Sequence, residues 1–154
     1  MFREMRKKER EILKDDIVKI LDHENYGIFS VTGENGYAYG VPVNYVYLNE
    51  AIYFHCANVG FKIDSLRKNP KTSFTVVGSV QAVPEKFTTK YESVIAFGEA
   101  KEISGTEKIE VLKEFINKYS SDFNEEGMKY IERAHEVTNI VKIEIHYITG
   151  KARR

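Results

Sequence analysis

Tyr37-Ala-Tyr-Gly-Val-Pro-Val-Asn-Tyr-Val-Tyr-Leu48 is the stretch that decides the fold. Tyr37, Tyr39, Val41, Val43, Tyr45 and Tyr47 alternate with Ala38, Gly40, Pro42, Asn44 and Val46, the two-residue period of a β-strand with one bulky face and one nearly bare face. Pro42 has no N–H for a ladder hydrogen bond and Gly40 has no side chain to pack, so the strand is expected at a sheet edge or bulged near residue 42. The bare face leaves room for a flat ring to lie against backbone, with nearby amides as donors. The plainer reading of the tyrosine face is core or subunit surface.

Working outward, Tyr26 to Thr32 is rich in β-branched and aromatic residues and ends at Gly33-Glu34-Asn35-Gly36, where Asn35 and Gly36 tolerate positive φ and close a hairpin. Asn49 and Glu50 turn the chain into a third strand, Ala51 to Ala57. Asn58 to Gly60 break it, and a short helix from Phe61 to about Lys68 stops before Pro70. Further strands are expected at Thr72 to Val80, Glu92 to Ile103 and Thr138 to Ile148, with Gln81 to Tyr91 as a polar loop. Lys7 to Leu21 carries Leu13, Ile17, Ile20 and Leu21 at the spacing of one helical stripe. Ser104 and Glu107 form a capping-box pattern ahead of the stripe Ile109, Leu112, Phe115, Ile116 and Tyr119. A second short helix covers about Glu125 to His135, and a basic tail, Lys151 to Arg154, ends the sequence. Six strands in a meander with helices at the periphery predict an α+β fold around an antiparallel six-stranded barrel, without the βαβ alternation of a parallel sheet.

The 154 residues fit one domain spanning 1–154. Charged residues make up 30% of the chain, and 23 basic residues balance 23 acidic ones, which gives no global field to attract nucleic acid or an anionic membrane. Apolar runs are far shorter than the ~20 residues that cross a bilayer, and the first ten residues are too charged for a secretory segment, so a cytoplasmic protein is expected. A single cysteine, Cys56, excludes an intrachain disulfide and a cysteine-cluster zinc site.

No GxSxG, HExxH, P-loop or GxGxxG motif is present. His23, His135 and His146 read as surface or half-buried polar positions, and no metal site is expected. His55 and Cys56 end a strand just before a helix start. At that start Gly60, Phe61 and Lys62 offer free N–H groups and a cation to a phosphate, while Lys62 reads equally as one more solvated lysine. Alternation places Cys56 beside Ile52 and Phe54, which favours a buried thiol over a nucleophile.

Several strings, in this order, resemble the FMN-binding split barrels related to pyridoxamine 5'-phosphate oxidase, and more closely their nitroimidazole-resistance branch: Tyr39 to Tyr47 (YGVPVNYVY), Tyr53 to Ala57 (YFHCA), Gly60 to Pro70 (GFKIDSLRKNP), Phe74 to Val77 (FTVV), Lys86 to Gly98 (KFTTKYESVIAFG) and Ile145 to Arg154 (IHYITGKARR). The resemblance implies a six-stranded split barrel that forms a homodimer with FMN in clefts at the subunit boundary. It implies Val43, Asn44, Tyr45 and Val46 along the edge of the flavin ring, and His55, Cys56 and Ala57 near the ring and ribityl chain. Lys62 would hold the phosphate, Ser93 would reach the flavin from the partner subunit, and Lys151 would stand at the phosphate or the cleft rim. The oxidase proper has Arg and Lys together where Phe61 precedes Lys62 here, and a different basic C-terminal segment, so oxidation of pyridoxamine phosphate is not expected. The implied chemistry is reduction of a small planar acceptor such as a nitroaromatic ring by reduced flavin, with His55 as the candidate proton donor. The electron donor would be a nicotinamide cofactor or a partner reductase. The alternative function is a non-enzymatic flavin or haem binder on the same fold, and deazaflavin is a third cofactor reading.

Overall fold

The computed structural model describes residues 1–154. Its strands are β1 (Tyr26–Thr32), β2 (Ala38–Asn44), β3 (Val46–Leu48), β4 (Ala51–Cys56), β5 (Lys71–Val83), β6 (Thr88–Ile103) and β7 (Asn139–Arg153). Its helices are α1 (Lys14–His23), α2 (Phe61–Lys68), α3 (Gly105–Tyr119) and α4 (Asn124–Ala134). The expectation of α+β with an antiparallel sheet holds. The number of strands is seven rather than six, in the order β2-β1-β5-β6-β7-β4-β3.

The seventh strand comes from the opening stretch. Its alternation does not end at Asn44, but its partner changes there: Asn44 faces Tyr26 of β1, whereas Val46 faces Tyr53 of β4. Tyr45, the single residue between, is fully buried. Its hydroxyl donates to the carbonyl of Leu21 at 2.7 Å, and its own N–H donates to the hydroxyl of Tyr119 at 3.0 Å. Because β2 and β3 are the two edges of the sheet, one residue ties the edges together and the sheet has to curl into an open barrel. Pro42 lies on an edge strand, where its missing N–H costs no ladder bond on the solvent side.

Two apolar clusters hold the curl. Inside it, Phe29, Phe54, Phe74, Ile52, Val76 and Ile143 meet Ile17, Ile20 and Leu21 of α1 and Ile63 and Leu66 of α2. On the other face of β3, β4 and β7, Val46, Tyr53 and Ile140 meet Val111, Leu112 and Phe115 of α3 and Ile131 of α4. β4 therefore sends alternate residues to opposite layers.

Four further expectations are corrected. The first helix starts at Lys14, not Lys7, because Ile12 donates its N–H to Gly150 and Glu11 bridges Lys151 along the part of β7 that β4 does not reach. Leu13 is left exposed. The polar loop from Gln81 to Tyr91 is mostly ladder: after a bulge between Gly78 and Gln81, pairing resumes at Gln81–Lys90 and runs to Val83–Thr88. Ser104 makes no side-chain cap, and Glu107 pairs with Lys142 at 3.1 Å instead. The basic tail is the end of β7, which runs five residues beyond Ile148, to Arg153. No helix is long and apolar enough to cross a membrane.

Candidate functional site

Between the end of β4 and the helix pair α3–α4 lies a cavity of about 240 Å³ lined by Asn44, His55, Leu112, Phe115, Ile116, Tyr119, Ser120, Tyr130, Ile131 and Thr138. None of these side chains is an acid, a lysine or an arginine. His55 reaches the cavity because the pleat of β4 turns it away from the barrel interior that Phe54 and Cys56 face. Its ring stands edge-on to Phe115, with centroids 4.9 Å apart. Burial first, and the charge of Lys62 second, lower the His55 pKa below its ordinary value. Both effects favour the neutral imidazole, which has one N–H to give and one lone pair to accept.

The strand break forms the opposite rim. The Tyr119 hydroxyl accepts the Tyr45 N–H and lies 2.6 Å from the Tyr45 carbonyl and 2.7 Å from the Asn25 carbonyl, so its single proton serves one of them at a time. Lys118, the preceding residue, places its ammonium 3.2 Å from the carbonyls of both Leu21 and Tyr45 and 4.0 Å from the centroid of the Tyr45 ring. Burial lowers the Lys118 pKa to about 8, against weaker pulls upward from Asp22, Glu114 and Glu24. Desolvation likewise raises the hydroxyls of Tyr45 and Tyr119 above the usual phenol range.

Of the ten residues expected to hold a cofactor, eight gather around this end. Val43 is half-buried and packs on the barrel core. Asn44 is exposed at the cavity and donates from Nδ2 to the Asn25 carbonyl at 2.8 Å. Tyr45 is buried, and Val46 faces the helix layer. Cys56 is half-buried against the barrel core, and burial raises its thiol pKa despite Lys62 nearby. Ala57 is exposed in the turn before α2. Lys62 is half-buried, 5.6 Å from the centroid of the Phe54 ring and in no ion pair.

The other two, Ser93 and Lys151, face each other directly across β6 and β7. Cys56 pairs with Asn139 and Ser93 with Lys151, so along β7 the two pairs are separated by twelve residues of curled strand. Asn44 is nearer to Ser93: it faces Tyr26 of β1, and the β1–β5 and β5–β6 registers continue that row to Ser93, three strand spacings or about 14 Å away.

The outer face of the sheet carries two rows without a charge: Pro42, Ile28, Thr75, Ile95 and Thr149, and Gly40, Ser30, Ser73, Phe97 and Tyr147. Ile95 and Phe97 are each 38% exposed. In a chain with 30% charged residues, a charge-free patch across five strands stands out.

The donors here fit a phosphorylated flavin in part. Gly60, at φ 126°, opens α2 without any side-chain cap, so the first N–H groups of the helix and Lys62 are free for an anion. β2 is an edge strand, which leaves alternate backbone groups near Val43 and Asn44 unpaired for a ring edge. Tyr45 does not fit the role expected of it. Its N–H and carbonyl are already taken by Tyr119 and Lys118.

The residues that sequence reasoning missed are Lys118, Tyr119 and the α4 contributors Tyr130 and Ile131. Tyr119 was visible only as part of a helical stripe. Nothing separates Lys118 from the other 22 basic residues, because the groups it caps lie 73 and 97 positions away in sequence.

Residues 14–152 match the family described as pyridoxamine 5'-phosphate oxidase. Among solved structures, the chain is similar to one crystallised as a candidate 5-nitroimidazole antibiotic resistance protein of Bacteroides thetaiotaomicron, with 25% identity, a TM-score of 0.79, and coverage of 92% of this chain and 86% of that one. A conserved hypothetical protein of Mycobacterium tuberculosis shares the fold at TM-score 0.84 and 14% identity, covering 98% of this chain and 91% of that one. A flavocytochrome of Azotobacter vinelandii does so at TM-score 0.75 and 22% identity, with 98% and 72% covered. A comparison with curated protein sequences finds no match.

Proposed function

This chain belongs to the pyridoxamine 5'-phosphate oxidase family, and from that premise we propose that it is an FMN-binding homodimer that passes electrons to a small, flat, uncharged acceptor such as a nitroaromatic ring. The observation that carries this reading is the placement of an uncapped helix start bearing Lys62 beside an edge strand and an uncharged aromatic cavity that contains His55.

The parts divide the work. The free N–H groups at the start of α2 and the Lys62 ammonium bind the phosphate, where dipole and charge add. Unpaired backbone groups of β2 orient the ring. Bound there, the flavin supplies a hydride, which is the one piece of chemistry the side chains do not provide. Leu112, Phe115, Ile116 and Tyr130 exclude water and favour a flat apolar ring. Neutral His55 holds a proton at a ring nitrogen for a developing anion on the acceptor. A phosphorylated substrate such as pyridoxamine phosphate meets no cation in this cavity, which favours an uncharged acceptor.

The second copy covers the charge-free outer face. It would also bring Ser93 of one chain towards Lys62 of the other. The electron donor in this reading is a nicotinamide cofactor or a reductase. The likeness to a flavocytochrome favours one other reading, a flavin or haem carrier with His55 as the haem ligand.

The absorption spectrum of the purified chain separates the two, because flavin absorbs near ~450 nm and haem gives a Soret band. Lys62→Glu is expected to weaken FMN binding at least tenfold, about 1.4 kcal/mol, and an unchanged Kd removes Lys62 from the site. Co-expression of a Lys62→Glu chain with a Ser93→Glu chain tests the seam. Each variant alone should lose flavin, while the mixed dimer has one seam of two with both native residues and should recover up to half. No recovery, or a monomer in sedimentation, refutes the shared cleft.

A further inference from the structure

Beyond the bulge between Gly78 and Gln81, β5 and β6 continue as a two-stranded arm, paired from Gln81–Lys90 to Val83–Thr88. At its tip Phe87 is 97% exposed and lies in the left-handed region, at φ 50° and ψ 44°. Glycine is the ordinary residue in that conformation, and a bulky side chain there is strained. A strained, fully solvated phenyl ring at the end of an arm is a knob without a hole. A hole of matching chemistry lies elsewhere in the same chain. At the mouth of the His55 cavity the lining residue Tyr130 is 52% exposed. The N–H of Phe123, also exposed, donates to the carbonyl of the lining residue Ser120 at 2.9 Å. Exposed Val137 directly precedes the lining residue Thr138, and its carbonyl accepts from Nδ2 of Asn58 at 3.4 Å, which brings exposed Val59 alongside. Apolar side chains thus rim a cavity that holds no acid, lysine or arginine. Charge agrees with the match: residues 122–137 carry five carboxylates against two lysine or arginine cations, while the tip carries Lys86 and Lys90 against Glu85.

We propose that Phe87 of each copy of this chain seats in the mouth of the other copy's His55 cavity, so that the cavity is closed only in the dimer. The occupant is a second copy because the arm continues the surface that copy covers. Ser93, Ile95 and Phe97 alternate onto the outer face along β6, and Phe87 lies six residues beyond Ser93 on the same strand, about 20 Å at the ~3.3 Å rise of a strand. With Ser93 of one chain towards Lys62 of the other, the arm carries Phe87 past that point along the partner. The seat rests on the homodimer reading and is independent of which cofactor binds.

The chain has no tryptophan and a single cysteine, so both kinds of probe can be placed without background. Phe87→Trp should emit at shorter wavelength in the dimer than in urea, and adding Tyr130→Ala/Val137→Asp should return the emission maximum to that of the unfolded chain. In a Cys56→Ala background, a Phe87→Cys chain is co-expressed with a Val59→Cys, Tyr130→Cys or Val137→Cys chain and oxidised. At least one of these pairs should give a disulfide-linked species of twice the mass in non-reducing gels, and Phe87→Cys with Leu13→Cys should give none. The tryptophan measurement keeps Cys56, so it stands if the cysteine variants fold poorly. Sedimentation separates the two ways of failing. A dimer with solvent-like tryptophan emission, a blue shift that survives loss of Tyr130 and Val137, or no linked pair overturns the seat and leaves the dimer standing. A monomer at every concentration overturns both.

Discussion

Tyr119→Phe removes one oxygen from the point where the sheet is tied to itself, and its cost can be worked from the bonds around that oxygen. The Asn25 carbonyl keeps the Asn44 amide at 2.8 Å, and the Tyr45 carbonyl keeps Lys118 at 3.2 Å. The Tyr45 N–H, at a residue that is fully buried, keeps nothing. An orphaned buried donor costs about 1–3 kcal/mol, so the variant should lose about 1–2 kcal/mol, with the ring still packed on Phe115. For a chain of this length that is roughly a 2–8 °C fall in Tm. Urea unfolding of wild type and variant, read by far-UV circular dichroism, gives the same quantity from the midpoints, provided m is unchanged. Tyr119→Ala also removes the ring and should cost roughly 3–5 kcal/mol. A loss below about 0.5 kcal/mol for Tyr119→Phe means that the hydroxyl does not hold the strand break, and the account of why β2 and β3 separate fails.

Lys118 titrates near 8 in the folded chain, below the ordinary 10.5 of a lysine, so between about pH 8 and 10 the unfolded chain binds more protons and stability rises with pH. Lys118→Met should flatten that rise, and urea midpoints at several pH values show it; an unchanged slope means that another group is responsible. Above pH 10 the trend reverses, because burial holds the hydroxyls of Tyr45, Tyr47, Tyr53 and Tyr119 protonated beyond their unfolded pKa. Gly98→Ala drives a Cβ into the Glu144 carbonyl oxygen at the β6–β7 bulge, and since that contact is backbone the loss should be about 3 kcal/mol or more in thermal melts. A drop of under 1 °C in Tm would show that the bulge absorbs the methyl group. The Cys56 thiol, raised by burial, should react with iodoacetamide at pH 8 at least tenfold more slowly in the folded chain than in urea, and equal rates would place it in solvent.

The strands, the four helices and most of the site end were legible in the sequence because they follow from local periodicity. His55 and Cys56 part to opposite layers, as alternation requires, and Pro42 marks an edge strand. The split of the opening stretch was not legible. Tyr45 and Tyr47 continue the pattern of Tyr39, Val41 and Val43 without a missed step, so nothing local signals that the partner strand changes. The change is decided by Leu21 and Tyr119, 24 and 74 residues away. The first helix shows the same limit. The stripe from Leu13 to Leu21 is real, but where it begins depends on a bridge to Lys151 at the other end of the chain.

That non-local junction also explains why the candidate site lies where it does. A sheet whose two edges are joined by one residue cannot open flat, so the end of α1 and the last turn of α3 are held against the same short segment of backbone. The groups that hold it, Tyr119 and Lys118, come from the helix that also supplies Leu112, Phe115 and Ile116 to the cavity. Any movement that widens the cavity by lifting α3 must break the bonds at Tyr45. The cavity wall and the barrel closure are therefore one mechanical unit, and substitutions at the junction should change acceptor affinity together with stability, whereas substitutions at Lys62 should change cofactor affinity alone.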